Sequence, residues 1–357
     1  MTLAAEVEAI RTTVALSRLH HVTAMRVCGP GALALLDAVV PTALFLRESQ
    51  MRHTLLLAAD ARPLADVYVC YDDPDFILLV EGLSPAALRA YLDEQRAGRG
   101  DDASVTVEDL GASHVLFGVN GPYAWELAAA ALGPEVNGMP YLSFLRIGDV
   151  ICFRAGKTGE YGYDLLVPNA EAPALWDRLV ELGQPLGVRE VGLEALDQCA
   201  LENWHFSMRL LEAADADVPL TPIELQLQWR VSYDKDFVGA EALNARRASG
   251  ARGRTTCFTA AAPVAPGQRI LYDGQLIGSV LAATQSCTRA DAVGVGLLDT
   301  PVAHPGIDRF VVETPEGPVP IITRTPPLIN NRSLHVDPNR HSARSREQDT
   351  FPPLVLA

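Results

Sequence analysis

The chain has 357 residues, 48% of them hydrophobic and 20% charged, the balance of a folded protein too long for one ordinary core. Its formal net charge of -15 argues against a nucleic-acid partner, which needs a basic footprint, and against anionic membrane surfaces. No apolar run reaches bilayer-spanning length and the N-terminal residues lack the pattern of a signal peptide, so a cytoplasmic protein is expected.

Residues 5–16 carry Val7, Ile10, Arg11 and Val14 at helical spacing and predict a helix. Val22 to Val27 reads as a strand, and Gly29-Pro30 then opens a helix, with proline where its missing N–H has no partner to lose. The phrase returns downstream. Val27-x-Gly29-Pro30-x-Ala32-x-x-Leu35 is matched by Val119-x-Gly121-Pro122-x-Ala124-x-x-Leu127, which implies two related αβ units. Between the two phrases, Thr54 to Tyr71 reads as strand, turn, strand, and Phe76 to Val80 as a further strand after the turn at Asp72 to Asp75. Ser84 caps a helix from Pro85 to about Arg96, residues 99–102 form a loop, and Ser104 to Val107 alternate as a strand. Strands paired in hairpins with helices on one face make an α+β layer.

Val150 to Val167 is again strand-rich, and Ala170 to Leu182 forms a helix with Leu175, Leu179 and Leu182 on one stripe. Another helix is expected from Leu193 to about Met208. Four arginines and two glycines in residues 244–256 suit a linker, and Arg254 to Ile322 holds only short strands and turns, as in a small all-β domain. From Asp337 the polar tail is expected to be loosely held or to wrap another surface. The six cysteines show no C-x-x-C spacing and the eight histidines no ligand cluster, so no metal site is expected and His20 and His21 read as structural.

One stretch, Arg154 to Pro168, places Gly156, Gly159 and Gly162 beside two carboxylates, Glu160 and Asp164. Alone it reads as a turn entering a strand. After it come Gly192-Leu193-Glu194-Ala195-Leu196-Asp197-Gln198-Cys199-Ala200-Leu201-Glu202, then Thr221-Pro222-Ile223-Glu224 with Trp229, then Asp234-Lys235-Asp236-Phe237-Val238-Gly239-Ala240-Glu241. In this order and spacing the four blocks resemble the glycine-cleavage T-protein (aminomethyltransferase) superfamily of folate-binding proteins. The resemblance implies an α+β fold of three domains around a central folate pocket, two αβ units and a C-terminal all-β barrel. The folate-binding αβ domain would be discontinuous, 1–22 and 111–243, around a ferredoxin-like unit at 23–110. The barrel would span 254–336 and the tail 337–357.

Asp66 opens an apolar strand, where a carboxylate is costly unless it is solvated or has a task. The resemblance makes it the catalytic carboxylate, because Ala61 to Val67 aligns with the family phrase G-G-x-x-D-D-[aliphatic] and keeps its second aspartate. A dry pocket would raise its pKa. Asp164 stands at the family's pterin-binding glutamate, Lys157 where a tyrosine is usual and Glu81 where an asparagine is usual. Glu160, Tyr141 and Trp229 complete the implied folate contacts, Trp229 suiting the core as well. Leu196 and Ala200 replace two family arginines, one of them a folate-pocket residue. The chain also lacks the N-terminal segment of members that take an aminomethyl group from a lipoyl protein. The resemblance therefore implies a tetrahydrofolate-dependent methyl or methylene transferase whose other substrate is a small molecule. A non-catalytic folate binder of the same fold, or a pocket turned to another ligand, stands as the alternative.

Overall fold

The computed structural model describes residues 2–98, 105–209 and 220–355; the loop expected at 99–102 and the first residue of the strand after it lie outside the described residues. Helix α1 (Leu3–Thr12) is capped by the Thr2 hydroxyl and ends earlier than its periodicity suggests, because Ala15–Arg18 leaves it to become strand β1. Strand β2 (Val22–Cys28) passes through Gly29 into α2 (Ala32–Val39), and β7 (His114–Asn120) passes through Gly121 into α4 (Ala124–Leu132). Both glycines have positive φ, +106° and +127°, so the repeated phrase marks the same left-handed strand-to-helix corner twice.

Around the first corner lie β3 (Met51–Leu57), β4 (Pro63–Asp72), β5 (Asp75–Glu81), α3 (Pro85–Ala97, capped by Ser84) and β6 (Thr106–Asp109). They form one sheet of order β3-β4-β5-β2-β6. After α4 come β8 (Phe144–Ile147), β9 (Val150–Phe153), β10 (Gly162–Pro168), α5 (Ala172–Gly183), β11 (Arg189–Glu190) and α6 (Leu193–Glu202). These strands, with β1 and β7, form a second sheet of order β11-β1-β7-β10-β9-β8. Helix α6 ends at Glu202, short of the expected Met208; Asn203 closes it and its amide side chain bonds the Cys199 carbonyl.

Each sheet covers one face with its helices: Val27, Val67, Leu78 and Val80 pack under α2 and α3, and Phe117, Val119, Leu165 and Val167 under α4 and α5. Their other faces meet, Tyr68, Cys70, Ile77 and Leu79 against Phe144, Ile151, Phe153 and Leu166. The segment read as a linker is instead partly helix, α7 (Ala240–Ser249). Leu243, fully buried, holds it against the third core and outweighs its arginines, two of which lie in the last turn where cations suit the helix dipole.

The remainder closes into a barrel: β12 (Gly253–Ala260), β13 (Arg269–Tyr272), β14 (Gln275–Gln285), β15 (Ala292–Asp299), β16 (Phe310–Thr314) and β17 (Gly317–Arg324), in the order β12-β15-β14-β13-β16-β17. The tail after it is held, not loose. Ser342 and the Ala343 amide donate to Glu126 on α4, and Ala343 is buried. Arg11, 1% exposed, ties the parts together: it donates to the carbonyls of Thr158 and Cys199, to Glu202 and to Asn331 beyond the barrel. Among the described residues no helix is long and apolar enough to cross a membrane.

Candidate functional site

Successive strand residues point to opposite faces, and this alternation decides which carboxylates meet. On β4, Ala65, Val67 and Val69 enter the helix-covered core, which turns Asp66 with Tyr68 and Cys70 to the gap between the sheets. On β5 the same parity turns Glu81 to the gap with Ile77 and Leu79, and on β10 it turns Asp164 there with Leu166. Asp66 and Glu81 are also direct cross-strand partners. Like charges so placed repel, and a buried carboxylate is costly without a counter-charge.

The loop between β9 and β10 supplies the counter-charge. It folds tightly, since a Cβ on Gly162 would lie 2.2 Å from the Ala155 carbonyl oxygen, and the turn drives Lys157 into the gap. Lys157 Nζ lies 2.5 Å from Asp66 Oδ2 and 2.5 Å from Glu81 Oε1. Asp66 is 2% exposed and fully engaged: Arg230 Nη1 stands 2.6 Å from Oδ1, and His53 Nε2 lies 2.8 and 3.0 Å from the two oxygens. Burial alone would raise this carboxyl, but His53, Lys157 and Arg230 outweigh it and hold it well below the usual aspartate range. That corrects the expectation of a raised pKa. Glu81 is lowered too, against its burial, chiefly by Lys157, and its other oxygen meets Arg209 Nη1 at 3.3 Å. Arg209 turns its remaining donors onto Asp197 of α6.

Three carboxylates thus stand against Lys157, Arg209 and Arg230. The imidazoles add little charge: burial lowers His21 and His53, and burial with His53, Lys157 and Arg230 pushes His205 down to about 4. Asp164 differs. No hydrogen-bond partner meets its carboxyl among the described residues, and burial, with Glu81 nearby and Lys157 opposing, pushes it up to about 7. It lines a cavity of about 60 Å³ with Leu19, His21, Val22, Tyr68, Glu81, Asn120, Lys157, Leu196, Ala200 and Arg209. Lys157 has three N–H groups; two are taken, and the third has no acceptor among the described residues. The cavity therefore offers one unpartnered carboxyl and one ammonium N–H, which suits a ligand with paired donors beside an acceptor. A second cleft of about 370 Å³ adjoins it and shares Asp197, Ala200, Ser207 and Arg209.

Of the residues singled out in the sequence, Asp66, Glu81, Lys157 and Asp164 are brought together. Tyr141 is 56% exposed and does not line the cavity, though it is near enough to bear on the charge of Tyr68. Glu160 is elsewhere: its oxygens accept from the amides of Arg332 and Ser333 and from the Ser333 hydroxyl, and Arg11 lies 3.7 Å away. Trp229 is 69% exposed and is neither core nor cavity wall; its ring stacks under the guanidinium of Arg230, so it flanks the residue that reaches Asp66. His21, His53, Arg209 and Arg230 were missed. Arg230 directly follows the tryptophan of a recognised block, and a basic residue there was the available signal; His53 and Arg209 had none.

Residues 1–235 match the GCVT N-terminal domain family. An aminomethyltransferase of Frankia alni is 30% identical over 334 residues, 91% of this chain and 88% of that protein. One of Streptomyces avermitilis is 30% identical over 312 residues, 84% and 82% of the two chains. The solved glycine cleavage system aminomethyltransferase T of Bartonella henselae covers 91% of this chain and 89% of its own with a TM-score of 0.78, at 24% identity, a likeness of fold.

Proposed function

The chain belongs to the glycine-cleavage T-protein family, and on that premise we propose that it is a tetrahydrofolate-dependent one-carbon transferase whose second substrate is a small molecule. The family works with tetrahydrofolate, and the donor set here fits its pterin ring. Asp164, unpartnered on the cavity wall, accepts from the ring's amino and N–H groups in a charge-assisted pair, and the free Lys157 N–H donates to a ring acceptor. Aspartate is shorter than glutamate, so the ring sits close against β10. The cavity's 60 Å³ suits a few waters more than a bicyclic ring, so entry displaces the flexible Arg209 side chain and joins the cavity to the neighbouring cleft.

When bound, tetrahydrofolate supplies the nitrogen that carries the one-carbon unit. The chain's part is to orient the ring, exclude water and fix charge. Asp66 stays ionised and holds Lys157 as an ammonium; it is a positioning carboxylate with Lys157 between it and the cavity. This arrangement supports a donor other than the lipoyl-bound aminomethyl group. A cationic donor approaching Asp66 would meet a fixed ammonium first and be repelled.

The full engagement of Asp66 also favours a second reading, a folate binder without turnover. The two readings share the folate site, and calorimetric titration with tetrahydrofolate and its 5-formyl derivative tests that site. Saturable binding of both is expected; no heat at millimolar ligand removes the folate site from either reading. Formation of methyl- or methylenetetrahydrofolate with a panel of small methylated donors separates enzyme from binder.

A further inference from the structure

The cleft beside the cavity runs between α6 and β14, lined by Glu194, Asp197, Gln198, His205 and Arg209 and by Ala282 to Thr284. With about 370 Å³ it exceeds the site cavity severalfold, and the ring proposed above opens into it without filling it. Its cation is Arg209, since His205 titrates near 4 and is neutral. Arg209 lines cavity and cleft alike, and its side chain keeps 30% of its surface exposed. Its partner Asp197 is 36% exposed, so the pair is solvated and exchanges at little cost. Glu194 lies on the exposed first turn of α6, where water screens its charge. Gln198 is 2% exposed; its amide N–H bonds Glu202 and its Oε1 has no partner among the described residues. A buried carbonyl oxygen left unmatched at a cleft wall suits an amide N–H.

Resting on the folate reading, we propose that Arg209 is the receptor for the carboxylate-bearing tail of the folate. The tail runs from the cavity into the α6–β14 cleft, and its carboxylate replaces Asp197 on the guanidinium. An amide N–H along the tail meets Gln198 Oε1. Leu196 and Ala200, on the same α6 wall, bring no charge to the cavity they line with Arg209, so the positive charge on that side comes from Arg209.

The test compares tetrahydrofolate with 6-methyltetrahydropterin, which has the ring and no tail. Both are titrated calorimetrically into the wild type, Arg209→Ala and Asp197→Asn, each checked for folding by its melting curve. The wild type should bind tetrahydrofolate at least about tenfold tighter than the tail-less ring. Arg209→Ala should weaken tetrahydrofolate about tenfold to a hundredfold more than it weakens the tail-less ring, whose entry already displaces this side chain. Asp197→Asn, which frees the guanidinium, should tighten tetrahydrofolate alone. Equal loss of both ligands in Arg209→Ala, or no loss of either, overturns the assignment. So does a wild type that binds the two equally. A wild type that binds neither removes the folate site itself, a different failure.

Discussion

Asp66 and Glu81 face each other on neighbouring strands, and a single ammonium, that of Lys157, lies 2.5 Å from both. The pair is stable only while Lys157 stays charged and in place, and its pKa is indeed raised, the carboxylates outweighing its burial. Lys157→Met should therefore destabilise the fold by about 3 kcal/mol, as breaking a buried ion pair does. Adding Glu81→Gln should recover part of that loss, by about 1–3 kcal/mol of coupling. Chemical denaturation of the two single variants and the double variant measures it; strict additivity would mean that the bridge is not an energetic unit.

Asp66→Asn keeps the shape of the side chain and removes its charge from between Arg230 and Lys157. A loss of about 3–5 kcal/mol is expected, more than a solvated strand-edge charge would give. In the variant that remains folded at low temperature, turnover should fall about a hundredfold, the scale for one positioned group. Wild-type turnover in Asp66→Asn would reduce Asp66 to a structural ion pair.

Asp164 gives a pH dependence. Its carboxyl titrates at about 7, and only the ionised form accepts a donor edge through both oxygens. Tetrahydrofolate affinity should rise with pH, by at most about tenfold per unit below 7, and level off above. The charged neighbours are shifted away from this window, Asp66 and Glu81 downward and Lys157 and Arg209 upward, and burial favours the neutral forms of His21 and His53. Asp164→Asn should flatten the curve; an unchanged slope would place the titration elsewhere. The raised pKa also sets a sign for stability. What protonated Asp164 contributes to folding is fully present below the free value of 3.8 and is lost as pH rises through about 7.

Glu160 holds the segment after the barrel rather than a ligand. Glu160→Ala should leave two backbone N–H groups and the Ser333 hydroxyl without their acceptor, for a cost of roughly 3 kcal/mol. Proteolysis at residues 330–336 should accelerate in that variant while ring affinity stays within about twofold. A drop in tetrahydropterin affinity as large as that of Asp164→Asn would return Glu160 to the site.

The strands β4, β5 and β10 were legible, and so was the twice-used glycine corner, because both follow local rules of chain composition and geometry. The recognised blocks turned out to be largely clamps. Glu202 takes Arg11, Glu224 closes on the Thr221 amide and hydroxyl, and Lys235 caps carbonyls at the end of α2. Such contacts demand one residue type at one place, so they stand out in a sequence. The partners of Asp66 did not stand out. His53, Lys157 and Arg230 reach it from 13, 91 and 164 positions away, and only the folded sheets decide that they arrive at the same carboxylate. The helix at Ala240–Ser249 was misread for a related reason: its polar composition carries the signal of a linker, while two buried residues, Ala240 and Leu243, decide the outcome.

The Arg11 cluster sets a rule for chimeras. Its guanidinium is satisfied by α6, by the loop that carries Lys157 and by Asn331, while Glu202 also accepts from Ser286 and Thr288 of the barrel. A barrel borrowed from a relative would therefore bring the wrong acceptors to a buried cation unless residues 286, 288 and 331 travelled with their partners. No barrel residue lines the cavity among the described residues, yet exchanging the barrel should misplace Lys157 first. Specificity in this chain is thus transplanted as a set of matched residues, not as a domain.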